Sequence, residues 1–360
     1  MGTQSAGTDG RRAASIVDVA RRAGVSMSTA SRALRGAANV APRTRDRVRT
    51  AATELAYVPS PAASRLASGR TGAVGVVVPF STRWFFAEVV AGAEAVLREE
   101  GFDLLLYNLA EESVRAEFFD VLPLRRRVDA VLVVSAALSE GERARLVGLR
   151  VPVVTVGPRV PGLARVGIDD VSGAVTAARH LLLLGHRDVT MIAGDPDDPV
   201  GGITTRARTE GFCRGLCEAG IGSCRERVVP EPWGVDGGFR AAERLLSRAT
   251  LPTAVFAESD EMGFGALHAL RRAGLAVPGD VSLVGFDDHE MAAVTDLTTI
   301  AQPVREQGER GARLLLELLG TASAADGAGS AAGAEIGLPT RLVVRGSTGP
   351  PGRTPARAGP

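Results

Sequence analysis

Seven short apolar runs constrain this 360-residue chain more than any other feature: AVGVVVP (73–79), FDLLLYN (102–108), DAVLVVS (129–135), VPVVTVG (151–157), DVTMIAG (188–194), TAVFAES (253–259) and DVSLVGF (280–286). They are continuous rather than alternating, so each predicts a strand buried on both faces. Helical stretches lie between them, at 85–100, 113–126, 141–149, 172–184, 205–219, 237–248 and 260–273. Strands alternating with helices imply parallel α/β sheets, and seven are more than one small sheet needs. A low-complexity loop, 321–334, precedes a final strand expected at 338–345. The Pro/Gly/Arg-rich residues beyond it, 346–360, and the polar first 14 residues have no expected fold.

Ahead of the first strand, residues 15–36 read SIVDVARRAGVSMSTASRALRG. Ser15 and Asp18 have capping-box spacing, which predicts a helix from Ile16 to about Ala23 that Gly24 ends. Ser26 can cap a second helix from Met27 to Leu34, and Ile16, Val19, Ala20, Val25, Ala30 and Leu34 are spaced to pack the two together. That is a helix-turn-helix. Met27, Ser28 and Arg32 lie on the outer side of the second helix, where an Arg can bind both guanine O6 and N7 in a DNA major groove, while Thr29 and Ser31 can hold phosphates. The alternative is an ordinary helical hairpin with Arg32 solvated. A third helix is expected from Thr44 to Ala56, burying Val48, Ala52 and Leu55.

Charge separates the two regions. The formal net charge is +1, yet residues 1–70 hold 12 Arg against 4 acidic residues, a net of +8, leaving −7 on the remainder. A basic head on an acidic body is the footprint of nucleic-acid binding confined to one end. The chain has no Lys. No apolar run approaches the ~20 residues of a membrane span, and the first 15 residues lack the apolar core of a signal peptide, so a cytoplasmic, nucleoid-associated protein is expected. Cys213, Cys217 and Cys224 show no paired CxxC. They are expected to be small buried thiols of a reducing compartment, since no His or further Cys completes a metal set around Cys213 and Cys217.

Val17-Asp18-Val19-Ala20, Gly24-Val25-Ser26, Ser31-Arg32, Thr44-Arg45, Tyr57-x-Pro59 and Leu66-Ala67-Ser68-Gly69 together resemble the N-terminal domain of the lactose-repressor (LacI/GalR) family of transcription regulators. IDDVSGAVTAARHLLLLGHRDVTMIAG, FAESDEMGFGALHAL, VSLVGFDD and LTTIAQP extend the resemblance over roughly 15–347. It implies an all-helical helix-turn-helix domain (15–59), a hinge helix and linker (60–71), and a periplasmic-binding-protein-like core (72–347) for effector binding and dimerisation. That core would comprise two Rossmann-like subdomains joined by three crossovers, with tails at 1–14 and 348–360. Ser26, Met27, Ser28, Thr29, Ser31 and Arg32 would contact DNA. Leu66 would be a minor-groove wedge, or else a plain linker residue. The chain departs from the family at Ser60-Pro61 and in the Ser64-Arg65 order. The implied partners are a double-stranded DNA operator, a carbohydrate or nucleoside-like effector, and a second copy of the chain in a homodimer. No leucine heptad follows Arg345, so no helical-bundle tetramer is expected.

In parallel α/β sheets ligands sit beyond the carboxyl ends of strands. Those ends offer Phe80, Ser81, Ser135, Gly157, Ser259, Asp260, Asp287 and Asp288, with Trp84, Phe85, Phe86 and Trp233 nearby in a chain only 4% aromatic. By the resemblance, Phe85, Ser135, Arg208, Trp233, Ser259 and Asp287 are the effector positions. Arg208 and Asp287 can instead form a structural ion pair across the cleft, and Trp233 can be a loop or core aromatic. Ser135 and Gly157 leave the pocket less polar than a typical sugar site.

An enzyme is not expected. His289-Glu290 begins HExxH but residue 293 is Ala, and no Walker A run exists. His186 is expected to cap the preceding helix, and Asp195 to Asp198 to form a turn beside Pro196 and Pro199. No catalytic residue, cofactor or metal is assigned. A pure solute-binding protein would need a signal peptide and no basic head.

Overall fold

The computed structural model describes residues 14–34, 39–57, 70–322 and 333–352. The chain divides into two compact units between Thr71 and Gly72.

The first unit contains α1 (Ile16–Ala23), α2 (Met27–Leu34) and α3 (Pro42–Glu54). Ser15 and Asp18 form the reciprocal capping box, and Gly24 closes α1 at φ 64°, a left-handed angle that glycine adopts without strain. Ser26 Oγ accepts the Thr29 N–H at 3.1 Å. Val19, Ala20, Ala23, Ala30, Ala33, Val40, Val48, Ala51 and Ala52 are the buried core, with Ile16, Val25, Leu34 and Leu55 packed on it. Helix α3 begins two residues earlier than expected because Pro42 takes its first turn, where a missing N–H costs nothing. The expected hinge helix, with Leu66, lies outside the described residues.

The second unit is built on two six-stranded sheets. In the first, β1 (Ala73–Val78), β2 (Asp103–Asn108), β3 (Ala130–Val134), β4 (Val153–Val156), β5 (Ala164–Ile168) and β11 (Glu335–Leu338) run parallel in the order β11-β5-β4-β3-β1-β2. In the second, β6 (Val189–Ala193), β7 (Val228–Pro230), β8 (Ala254–Ala257), β9 (Ser282–Asp287), β10 (Thr298–Ala301) and β12 (Arg341–Val343) take the order β12-β10-β9-β8-β6-β7, with only β12 antiparallel. Helices α4 (Trp84–Glu99), α5 (Glu112–Val121), α6 (Glu140–Val147) and α12 (Val304–Ala322) accompany the first sheet; α7 (Asp170–Leu183), α8 (Gly202–Glu218), α9 (Val235–Leu246), α10 (Asp260–Arg272) and α11 (Glu290–Thr295) accompany the second. The chain passes between the sheets three times, at 168–170, 301–304 and 338–341.

All seven apolar runs form strands, and β1, β3, β4, β6, β8 and β9 are buried along their whole length. β5, β7, β10, α11 and α12 were not separated by their sequence, since these strands carry Gly, Arg, Pro or Thr where the recognised ones are predominantly apolar; β2 was recognised as a strand but, at the sheet edge, is largely exposed rather than buried on both faces. The single strand expected at 338–345 is two strands in different sheets, because Pro339 cannot continue a ladder. Helix α5 stops at Val121, where Leu122 turns left-handed at φ 48° before Pro123.

Three further expectations are corrected. His186 does not cap α7 with its side chain. Its ring is buried, with Nδ1 3.0 Å from Thr253 Oγ1 and Nε2 2.9 Å from the Gly349 carbonyl. The chain therefore remains part of the fold past residue 347, where an unstructured tail was expected. The cysteines are not three buried thiols either: Cys213 and Cys224 are disulfide-bonded, tying α8 to the short 3-10 turn at Cys224–Arg227, and Cys217 is exposed. The Asp195–Asp198 turn forms as expected, with the Asp197 N–H on Asp195 Oδ1 at 2.9 Å.

Candidate functional sites

On α2, Met27, Ser28 and Arg32 are exposed, Met27 by 56%, an unusual display for a thioether in a small domain. Among the described residues, Arg32 Nε donates to the Ser28 carbonyl of its own helix, at 3.3 Å. Ser26 Oγ lies 2.9 Å from Ser28 Oγ and 2.8 Å from Thr29 Oγ1. Thr29 and Ser31 are half-buried. This face therefore combines a guanidinium without an ion-pair partner among the described residues, hydroxyls and an apolar tip, the chemistry that reads base edges and phosphates.

In each sheet the strand order reverses once, between β1 and β3 and between β6 and β8. Ligands of open α/β sheets sit at such switch points, beyond the carboxyl ends. The structure has a cleft there, holding about 790 Å³ of unfilled space, part of it continuous with solvent. All six residues predicted for an effector, Phe85, Ser135, Arg208, Trp233, Ser259 and Asp287, line it.

Arg208 is the floor. It is 4% exposed, its Nε donates to Asp170 Oδ1 at 2.9 Å, its Nη1 donates to the Glu258 carbonyl, and its guanidinium lies 3.7 Å above the Phe286 ring. Asp287 Oδ1 is 3.6 Å from Nη1, an ion-pair distance without a hydrogen bond. All of these groups belong to the second sheet and its helices, so the pair does not span the cleft. Burial works against the guanidinium charge, but the surrounding Asp170, Asp287 and Glu258 carboxylates outweigh it and raise the Arg208 pKa further. Burial pushes the Asp287 carboxyl up to about 7 against the pull of Arg208 and the hydrogen bond from Gln302. Gln302 Nε2 donates to Asp287 at 2.6 Å and Gln307 Nε2 donates to Gln302 at 2.8 Å. This chain runs from the second sheet to α12 of the first.

Behind the floor, Glu258 is fully buried; Thr205 donates to its Oε1 at 2.8 Å, Oε2 has no partner among the described residues, and burial lifts its pKa to about 7. Trp233 packs over Gly194, where a Cβ would come within 2.2 Å of the indole Nε1, and that nitrogen also finds no partner among the described residues. Trp233 is thus a cleft wall, not a free loop aromatic. Ser259 Oγ accepts the Met262 N–H, capping α10. Ser135, at φ 44°, and Gly157 form the first-sheet side.

Asp170, Gln302, Gln307 and Glu258 were missed as members of this site. Asp170 followed a strand that was not separated, and the two Gln lie in a crossover whose position depends on both sheets. FAESD did place Glu258 at a strand end.

Residues 15–60 match the model of bacterial regulatory proteins of the lacI family, and 178–348 match the periplasmic binding protein-like domain. The HTH-type transcriptional regulator DegA of Bacillus subtilis (strain 168) is 33% identical over 93% of this chain and 98% of its own. Catabolite control protein A of Priestia megaterium is 31% identical, over 84% and 92% respectively. Among solved structures, a lac repressor dimer bound to operator and the anti-inducer ONPF is 26% identical, with TM-score 0.82 over 94% of this chain and 100% of that one. A complex of the transcriptional regulator CelR with cellobiose is 32% identical, with TM-score 0.68 over 93% and 99%. The chain belongs to the LacI family of DNA-binding transcriptional regulators, and its relatives are regulators, not enzymes.

Proposed function

We propose that this protein is a repressor that binds a pseudo-palindromic operator as a homodimer and is controlled by a small carbohydrate or nucleoside-like effector in the cleft. Residues 15–59 are the reading domain, with Ser26, Met27, Ser28, Thr29, Ser31 and Arg32 on each half-site. Residues 60–71 are the hinge, with Leu66 wedged into the central step. The body from residue 72 onward, past residue 347, binds effector and dimerises, and the protein acts in the cytoplasm on the nucleoid. Two heads on one duplex face need half-sites about 10 bp apart, or multiples of that.

The observation that carries this reading is the convergence of Phe85, Ser135, Arg208, Trp233, Ser259 and Asp287 on one cleft at both switch points, in a chain that also displays Met27, Ser28 and Arg32. Ligand that bridges the two sheets changes their mutual orientation. Through the three crossovers, that alters the spacing at which paired hinges fold. Such coupling is typically about 1–3 kcal/mol. A sugar-like effector accords with the cellobiose bound to CelR and the ribose bound to a regulator from Enterococcus faecium.

The test is selection of bound sequences from random duplex DNA by the full-length protein at two salt concentrations, since phosphate contacts make affinity salt-dependent. A pseudo-palindrome with a flexible central step supports the dimeric reader and the wedge. Recovery of a single half-site, or of no motif with or without sugars and nucleosides, refutes it.

A further inference from the structure

The cleft carries more negative charge than a neutral polyol requires. Four carboxylates line it, Asp170, Asp198, Glu261 and Asp287, against two guanidiniums, Arg83 and Arg208. Arg208 is committed to its own carboxylate, whereas Arg83 stacks on an aromatic ring and makes no hydrogen bond or ion pair among the described residues. Arg208 is bonded to Asp170 and the Glu258 carbonyl and stacked on Phe286. Arg83 lies 4.1 Å above the Phe80 ring. Of the carboxylates, Asp170 holds Arg208, Asp287 accepts from Gln302, and Asp198 Oδ1 accepts the Val200 N–H at 2.9 Å.

Glu261 differs from these three. It lines the cleft half-buried, and its carboxylate makes no hydrogen bond or ion pair among the described residues. It stands in the first turn of α10, where the helix dipole favours its charge. Its field reaches Asp287 and His289, adding to the rise that burial gives the Asp287 carboxyl and partly offsetting the lowering that burial gives the His289 imidazole. Trp84, Phe85 and Trp233 supply aromatic surface to the same cleft, and aromatic faces attract cations as well as C–H groups. An anion entering here would meet four carboxylates with Arg83 as the cleft guanidinium outside an ion pair, whereas a cation would complete Glu261, which has no partner among the described residues.

We infer that the ligand of this cleft carries a protonated amine, seated on Glu261 between the aromatic walls, so that an amino sugar is preferred to its neutral or phosphorylated counterpart. This rests on the reading of the cleft as the effector site. A charge-assisted hydrogen bond replacing a neutral one is worth about tenfold in affinity.

Both tryptophans of the chain, Trp84 and Trp233, line the cleft, so indole emission and calorimetry on the full-length protein report binding directly. The probes are glucosamine, galactosamine and mannosamine, each beside its neutral hexose and its hexose 6-phosphate. At least one amine is expected to bind about tenfold more tightly than its neutral partner. Glu261→Gln is expected to bring that ratio near one, and Glu261→Asp to keep part of it. Binding by none of the amines, a neutral or phosphorylated member that binds as well, or a ratio that survives Glu261→Gln overturns the inference. Amine binding that leaves operator affinity unchanged keeps the inference and counts instead against the cleft as the control site.

Discussion

The Trp84 ring, at the start of α4, packs 4.7 Å centroid to centroid against the His289 imidazole, tying the first sheet's helices to the second sheet's loops at the cleft mouth. His289 is itself fixed: its Nδ1 accepts the Met291 N–H at 3.0 Å, capping α11, and Phe264 meets it edge-on at 5.2 Å. The contact bridges two bodies that must move relative to each other if ligand is to reorient them.

Burial lowers the His289 pKa below its ordinary 6.5, more than the neighbouring Glu261 and Glu290 charges raise it. His289 is therefore neutral at pH 7. Below its depressed pKa the imidazolium quenches the adjacent indole and loses the Nδ1 cap. In a Trp233→Phe background, emission from Trp84 should fall as pH drops from 7 to 5, and adding His289→Asn should flatten the curve. An unchanged titration in the double variant would show that the two rings are not in contact in solution.

Glu258 makes stability fall as pH rises. Its folded pKa, about 7, lies above its ordinary 4.5, so the folded state holds a proton that the unfolded chain has released between those values. Stability from this group is full below about 4.5, and it is lost as pH rises through 7. Glu258→Gln removes the penalty while its side-chain oxygen can still accept from Thr205. The variant should be more stable than the parent at pH 8, by on the order of 3 kcal/mol, with the difference shrinking toward pH 5. Urea midpoints at the two pH values measure it.

Asp287→Asn is nearly isosteric and should spare operator binding while blunting the ligand response; an unaltered response would return Asp287 to a structural role. Arg208→Ala is a harsher change. It leaves the buried Asp287 and the half-buried Asp170 beside an empty guanidinium site, and breaking such a cluster costs about 3–5 kcal/mol, readable as a lower denaturation midpoint.

Arg32→Ala should remove operator selectivity, with binding to unrelated duplex DNA weakened far less, because an exposed Arg reading guanine contributes discrimination. Gel-shift competition between operator and scrambled DNA decides it. Retained selectivity would leave reading to Met27 and Ser28.

The bounds of α1 and α2 were legible residue by residue, because what sets them is local: Ser15 with Asp18, Gly24, and Ser26 with Thr29 all act within three or four positions. The seven apolar runs were legible as strands, and six of them because burial on both faces leaves an unbroken apolar run; β2, an edge strand, is largely exposed all the same. The short strands were not, since β5, β7 and β10 draw their stability from neighbours far along the chain, as in the pairing of Arg165 with Glu335.

The six cleft residues were legible as positions but not as a set of contacts. What the sequence by itself determined was the basic helix-turn-helix head, the parallel α/β body, and which strand ends line the cleft. Tertiary structure alone decided that Arg208 rests on Asp170 rather than reaching across the cleft, that Pro339 sends β11 and β12 to different sheets, that Cys213 meets Cys224, and that His186 is held by Gly349. Caps and apolar runs are read within a few residues; ion pairs and sheet edges are chosen by whatever packing brings together, over 38 residues for Arg208 and 163 for His186.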